Sequence, residues 1–150
     1  MLYKDDSTAY LISSTITGNQ ATYGGAILGL SGDYKLNVYN SILSGNPTKE
    51  GGSEIYKSSG GFTNTFKSSL IDGKFYDNTG SEQSNSIDIA TVIDSNFLPI
   101  GSPVNDKGMS GSDLTSDTSI PAISNEDYLN VDYNSNNRTQ KIMGAVVGPK

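Results

Sequence analysis

The chain has 150 residues, with 10 Lys plus Arg against 16 Asp plus Glu, a formal net charge of -6 and a hydrophobic share of only 34%. An acidic surface of this kind repels phosphate backbones and anionic lipids, which argues against nucleic acid as a partner. Cys and His are both 0, so disulfides, thiolate metal sites and histidine-activated nucleophiles are excluded, and zinc loses its two commonest ligands.

With 17 Gly and many Ser, Thr and Asn, the composition predicts a thin, β-rich, repetitive structure rather than one thick core. The opening Met1-Leu2-Tyr3-Lys4-Asp5-Asp6 lacks the basic-then-apolar profile of a secretion signal, and no stretch approaches the roughly 20 apolar residues that cross a bilayer. Leu2 to Leu11 carries no cap-like sequence either, so an exposed first strand layer is expected there, with upstream coils of a longer chain or end-to-end self-association as the partners that would cover it.

The first strand-and-turn element, Ser14-Thr15-Ile16-Thr17-Gly18-Asn19, recurs as Ser41-Ile42-Leu43-Ser44-Gly45-Asn46 and again as Ser69-Leu70-Ile71-Asp72-Gly73-Lys74. In each copy a short β-prone run ends in a Gly two residues after an apolar residue, which reads as a strand entering a tight or left-handed turn. A second series runs Gly24-Gly25-Ala26-Ile27-Leu28, Gly52-Ser53-Glu54-Ile55-Tyr56 and, more loosely, Ser84-Asn85-Ser86-Ile87-Asp88. A third pairs the alternating Leu36-Asn37-Val38-Tyr39-Asn40 with Thr63-Asn64-Thr65-Phe66-Lys67.

Three short strands per period of about 27 to 32 residues, with no 3.6-residue rhythm, predict an all-β fold. The expected architecture is a right-handed parallel β-helix of about three coils over 1–94, with an irregular capping segment over 95–150. The inward positions are expected to hold Ile16, Ile27, Val38, Leu43, Ile55, Phe66, Leu70 and Ile87, stacked in rows. A β-sandwich is the competing fold, but it gives no reason for like residues at like offsets. From about Asp94 the repeat fades into a stretch punctuated by Pro99, Pro103, Pro121 and Pro149, read as extended loops with a few strands.

In that stretch Phe97-Leu98-Pro99-Ile100-Gly101-Ser102-Pro103-Val104-Asn105-Asp106-Lys107-Gly108 resembles the "GSPAIDAG" signature that follows the last coils of secreted bacterial β-helix proteins. Asn137-Arg138-Thr139-Gln140-Lys141-Ile142-Met143-Gly144-Ala145-Val146 resembles their "R…DIGAYE" ending, and Asn40-Ser41-Ile42-Leu43-Ser44-Gly45-Asn46 is similar to their "NSILWGN" turn. The resemblance is to parallel β-helix repeat proteins with a choice-of-anchor type terminal segment, akin to polymorphic outer-membrane and adhesin-like proteins. It implies a secreted or cell-surface bacterial location.

The function expected is therefore non-catalytic: a scaffold, an adhesin or a glycan-contact surface. The alternative is the C-terminal fragment of a β-helix polysaccharide lyase or hydrolase with its active coils upstream. Lyase chemistry needs a cation-bound uronate and a nearby base, and the only Arg, Arg138, is better suited to an ion pair within the cap. Asp5-Asp6, Asp72 with Asp77 and Asp113 with Asp117 read as solvated turns rather than calcium ligands. No catalytic residue, cofactor or metal is expected. Polysaccharide is the candidate ligand, with Tyr39, Tyr56 and Tyr76 as possible glycan contacts within an aromatic strip that also takes in Phe66 and Phe75.

Overall fold

The computed structural model describes residues 7–30, 32–50, 54–60, 62–94 and 107–121. Among the described residues ten strands follow in chain order: β1 (Ser7–Ile12), β2 (Thr15–Ile16), β3 (Ile27–Gly29), β4 (Tyr34–Tyr39), β5 (Ile42–Leu43), β6 (Ile55–Lys57), β7 (Phe62–Lys67), β8 (Ser69–Ile71), β9 (Lys74–Tyr76) and β10 (Glu82–Ser86). A 3-10 turn (Ile89–Thr91) and one short helix, α1 (Gly111–Ser116), come after them.

The repeat read from the sequence is realised as strand pairing. β1, β4 and β7 lie side by side in parallel, with Ser7 opposite Tyr34 and Tyr34 opposite Phe62. β2 pairs β5 and β5 pairs β8, also in parallel, so that Ile16, Leu43 and Ile71 stack in one row. β3 pairs β6 with Ile27 opposite Ile55.

Two corners of the backbone repeat with the strands. Ser13, Asn40 and Ser68 take positive φ of 48°, 53° and 46° where the chain passes from one sheet to the next. Gly18, Gly45 and Gly73 take φ of 72°, 78° and 75° just after β2, β5 and β8. Glycine adopts that conformation without the strain that a Cβ brings, which favours a Gly at this corner.

The expectation of a right-handed parallel β-helix of about three coils is corrected by this topology. The strands form three separate sheets of three, five and two strands, none of them closed, and the five-stranded sheet is mixed: β10-β9-β8-β5-β2, with β8–β9 and β9–β10 antiparallel. A β-helix is not shown. The physical reason lies at Asp72-Gly73, where both residues have positive φ and Ile71 pairs Lys74 across a two-residue turn. Asp-Gly is a strong hairpin signal because both central positions of such a turn require φ above zero. The chain therefore reverses where a third repeat was expected to continue, and Ser84-Asn85-Ser86, read as a third member of the β3 series, lies in β10 against β9.

Alternate side chains of the five-stranded sheet are buried on opposite faces. Leu43 and Ile71 join Leu36 and Val38 in a cluster bordered by Ile16, Ile27, Ile55 and Phe66. Ile42, Leu70 and Phe75 face the other way, against Val92 and Ile93, with Ile87 packed beside them. Of the eight residues predicted to point inward, Ile16, Ile27, Val38, Leu43, Ile55 and Phe66 share the first cluster, whereas Leu70 and Ile87 lie on the other face, because Leu70 stands beside Ile42 and it is Ile71 that continues the row of Leu43. A third cluster joins Tyr39 to Met109, Leu114 and Ile120. It holds a helix where loops and strands were predicted: Ser110 caps α1 by accepting the Asp113 N–H at 3.2 Å, and Asp113 accepts the Ser110 N–H at 2.9 Å. That reciprocal pair satisfies two orphan donors at the helix start.

Candidate functional site

The three tyrosines proposed as glycan contacts are not brought together, because each belongs to a different sheet. Tyr39, at the end of β4, is 1% exposed, covered by the 107–121 segment with the Lys67 ammonium 5.7 Å from its ring centre. No ring face is left for a sugar. Tyr56, in β6, is half-buried and stacks on Tyr23 at 4.8 Å between ring centres. Tyr76, in β9, meets Phe66 edge to face at 4.9 Å, and its hydroxyl donates to Glu82 at 3.0 Å. Burial, then the bond and charge of Glu82, then Asp72, push that phenol up to about 12. Phe75 is buried.

What the fold does assemble is a set of polar ladders running across the repeat. The Ser69 hydroxyl accepts the Ser41 N–H at 3.1 Å, and the Ser41 hydroxyl accepts the Ser14 N–H at 3.0 Å. Each serine donates its own proton two residues back: Ser69 to Lys67 O, Ser41 to Tyr39 O, and Ser14 to Ile12 O. Asn46 Oδ1 accepts both the N–H and the side-chain amide of Asn19, at 3.0 and 2.9 Å. Behind it Glu54, 4% exposed, grips Asn46 by the backbone N–H and by Nδ2. Among the described residues no buried side-chain nitrogen or oxygen lacks a partner, as close packing of polar groups requires.

A second feature is an open cleft of about 670 Å³ between the β9–β10 hairpin and α1, bordered by Phe75, Asp77, Gln83, Lys107, Met109 and Asp117. Its carboxylates are engaged by their own surroundings. Asp77 accepts from the Thr79 hydroxyl and N–H, the Ser81 N–H and Gln83, and the Thr79 bonds above all hold its carboxyl below the ordinary value. Burial raises the Asp117 carboxyl, but bonds from the Ser119 hydroxyl and N–H and from Lys67 outweigh this and hold it low. Glu82 is held low first by its bond from Lys74 and then by Tyr76.

Among the described residues no group of three or more carboxylates could hold a metal ion. Asp72 and Asp77 lie in turns, Asp113 lies in the first turn of α1 and Asp117 caps its C-terminal end. Asp5-Asp6, Arg138 and all of Phe97 to Asp106 lie outside the described residues, as do the end motif and most of the 95–150 segment. Among the described residues no helix is long and apolar enough to cross a membrane.

The ladder residues carry a signal that the sequence reading passed over. Ser14, Ser41 and Ser69 open each copy of the first series, and a hydroxyl recurring at one position of a stacked strand is suited to bond the strand above it. Glu54 and Asn40 carry no such signal, since their partners are set by the fold. Comparison with family models, with curated proteins and with solved structures found no match.

Proposed function

We propose that this chain is a non-catalytic scaffold segment of a secreted or cell-surface protein. The observation that supports the reading is the use made of its buried polar groups. Ser41, Ser69, Asn46, Asn40 and Glu54, which carry the chemistry a site could draw on, each spend their hydrogen bonds on holding a neighbouring strand or turn. A catalytic acid or base must instead present a proton or lone pair to substrate. The zero Cys content and the abundance of Ser, Thr, Asn and Gly favour an exported protein.

The test is to incubate the purified chain with uronate polymers while following ultraviolet absorbance, and to apply the same sample to a glycan array. The expected result is no unsaturated product. Absorbing product that co-purifies with the chain and vanishes on its denaturation would overturn the scaffold reading. Array binding without turnover keeps it and identifies the scaffold's surface as a glycan contact.

A further inference from the structure

In all three sheets the strand that comes first in the chain forms an edge: β1 beside β4, β2 beside β5, β3 beside β6. These three edges belong to one repeat and form one layer. The layer beneath buries its apolar side chains completely at Leu36, Val38 and Leu43. Their register partners in the outer layer, Ala9, Leu11 and Ile16, are only half-buried. Among the described residues each row of side chains therefore continues to the edge and stops there half-buried.

The polar ladders stop at the same place, and they stop on an acceptor. Ser41 accepts an N–H from Ser14, and Ser69 accepts one from Ser41. Ser14 donates its proton to Ile12 O at 3.1 Å, and its hydroxyl oxygen accepts nothing among the described residues. Asn46 Oδ1 accepts two bonds from Asn19. Asn19 spends its amide protons on Asn46 and Thr17 O, and its own Oδ1 accepts nothing among the described residues. Both acceptors fall where the N–H groups of a strand layer running parallel and in register would donate, one repeat ahead of Ser14 and Asn19.

We infer that this edge docks a further parallel strand layer built on the same repeat, with a Ser over Ser14 and an Asn over Asn19. A second copy of the chain stacking head to tail does not meet the need, because β8, the strand it would have to offer to β2, is covered by the antiparallel β9. The occupant is therefore a segment of about 27 residues with the pattern of residues 34–61, whose step against its neighbours is 27 or 28. This deepens the scaffold reading by naming what the scaffold stacks on. Turnover in the uronate assay would remove the scaffold reading and leave the docking result standing.

The test inserts a second copy of residues 34–61 directly before Ser7 in the full chain, with the parent chain as control. Amides of the inserted strands are expected to exchange slowly, and the urea midpoint to rise. Ser14→Ala should raise the unfolding constant about tenfold more in the extended chain than in the parent, since one net hydrogen bond of about 1.4 kcal/mol depends on that oxygen only when the layer is present. Ser14→Thr, which keeps the acceptor, should restore most of the loss. Three results would each overturn the inference: inserted amides exchanging as in an unfolded chain, equal cost of Ser14→Ala in both chains, or a concentration-dependent dimer of the parent with β1 amides newly protected.

Discussion

Glu54 and Asn46 form a two-point clasp in the interior: Oε1 of the carboxylate accepts the Asn46 N–H at 3.0 Å, and Oε2 accepts Nδ2 at 2.7 Å. The clasp fixes the Asn46 amide with its oxygen turned toward Asn19. It thus joins the turn after β5 to the start of β6 and to the repeat before. Glu54→Gln places an N–H₂ group against one of the two Asn46 donors, so one donor of the pair loses its acceptor while volume is kept. An orphaned buried donor costs about 1 to 3 kcal/mol, and urea unfolding should show a midpoint shift of that size with an unchanged slope. A loss under about 0.5 kcal/mol would mean that the clasp is not holding the turn.

How much of this was legible in the sequence differs from residue to residue. The pairings Ile16–Leu43 and Ile27–Ile55 could be read directly, because stacking a repeat on itself sets like residues side by side, but the next place in the first row falls to Ile71 and not to the expected Leu70. The reversal at Asp72-Gly73 is also written there as an Asp-Gly hairpin signal, but its Gly stands at the same offset as Gly18 and Gly45, so the repeat hides it as one more copy of the turn. The burial of Tyr39 had no local signature. Its cover comes from Met109, Leu114 and Ile120, on a segment whose tie to the neighbouring Asn40 spans 69 residues of chain. Alternation marks which face of a strand a residue occupies, but not what a distant segment will lay over it.

Asn40 unites a backbone and a side-chain requirement. Its φ is 53°, a conformation that Asn tolerates better than most residues. Its Oδ1 accepts the Met109 N–H at 2.7 Å, and its Nδ2 donates to the Ser13 hydroxyl at 3.0 Å. Asn40→Gly removes the bonds alone, for about 2 kcal/mol. Asn40→Ala loses the same bonds but keeps a Cβ in a left-handed conformation without the polar side chain that eases it, and should be about 1 kcal/mol less stable than the Gly variant. Both should speed amide exchange around Met109. Equal stability of the two variants would refute the backbone part, and a small loss in both would refute the bonding part.

Asp117 links the C-terminal helix to β7 through Lys67 at 3.0 Å, with both side chains mostly buried. Its carboxyl is held below the ordinary value in the fold, so between the folded and unfolded values the unfolded chain binds more protons. Stability from this group is present above the unfolded value and is lost as pH falls through the folded one. Asp117→Asn should therefore be less stable than the parent near neutrality, and the gap should close between about pH 5 and pH 2. The acid slope of the variant should not vanish, because Asp77 and Glu82 are held low as well. A gap that stays constant over this range would assign the stabilisation to packing rather than to charge.

Leu43 and Ile16 occupy the same row one layer apart, and comparing their truncations measures how open the outer layer is. Leu43 is fully buried among Leu36, Val38 and Ile71, with strands on both sides. Leu43→Ala should leave a cavity that neighbours on a hydrogen-bonded sheet cannot close, at about 3 kcal/mol. Ile16 touches the same cluster from the edge and is only half-buried. Removing its side chain forfeits part of the transfer energy and leaves a notch open to water rather than a void, so Ile16→Ala should cost about 1 kcal/mol. Inserting a repeat before Ser7 ought to raise the second value toward the first, since Ile16 would then be enclosed as Leu43 is. Equal costs in the parent chain would show that the outer row is already covered, and the asymmetry between the two layers would be lost.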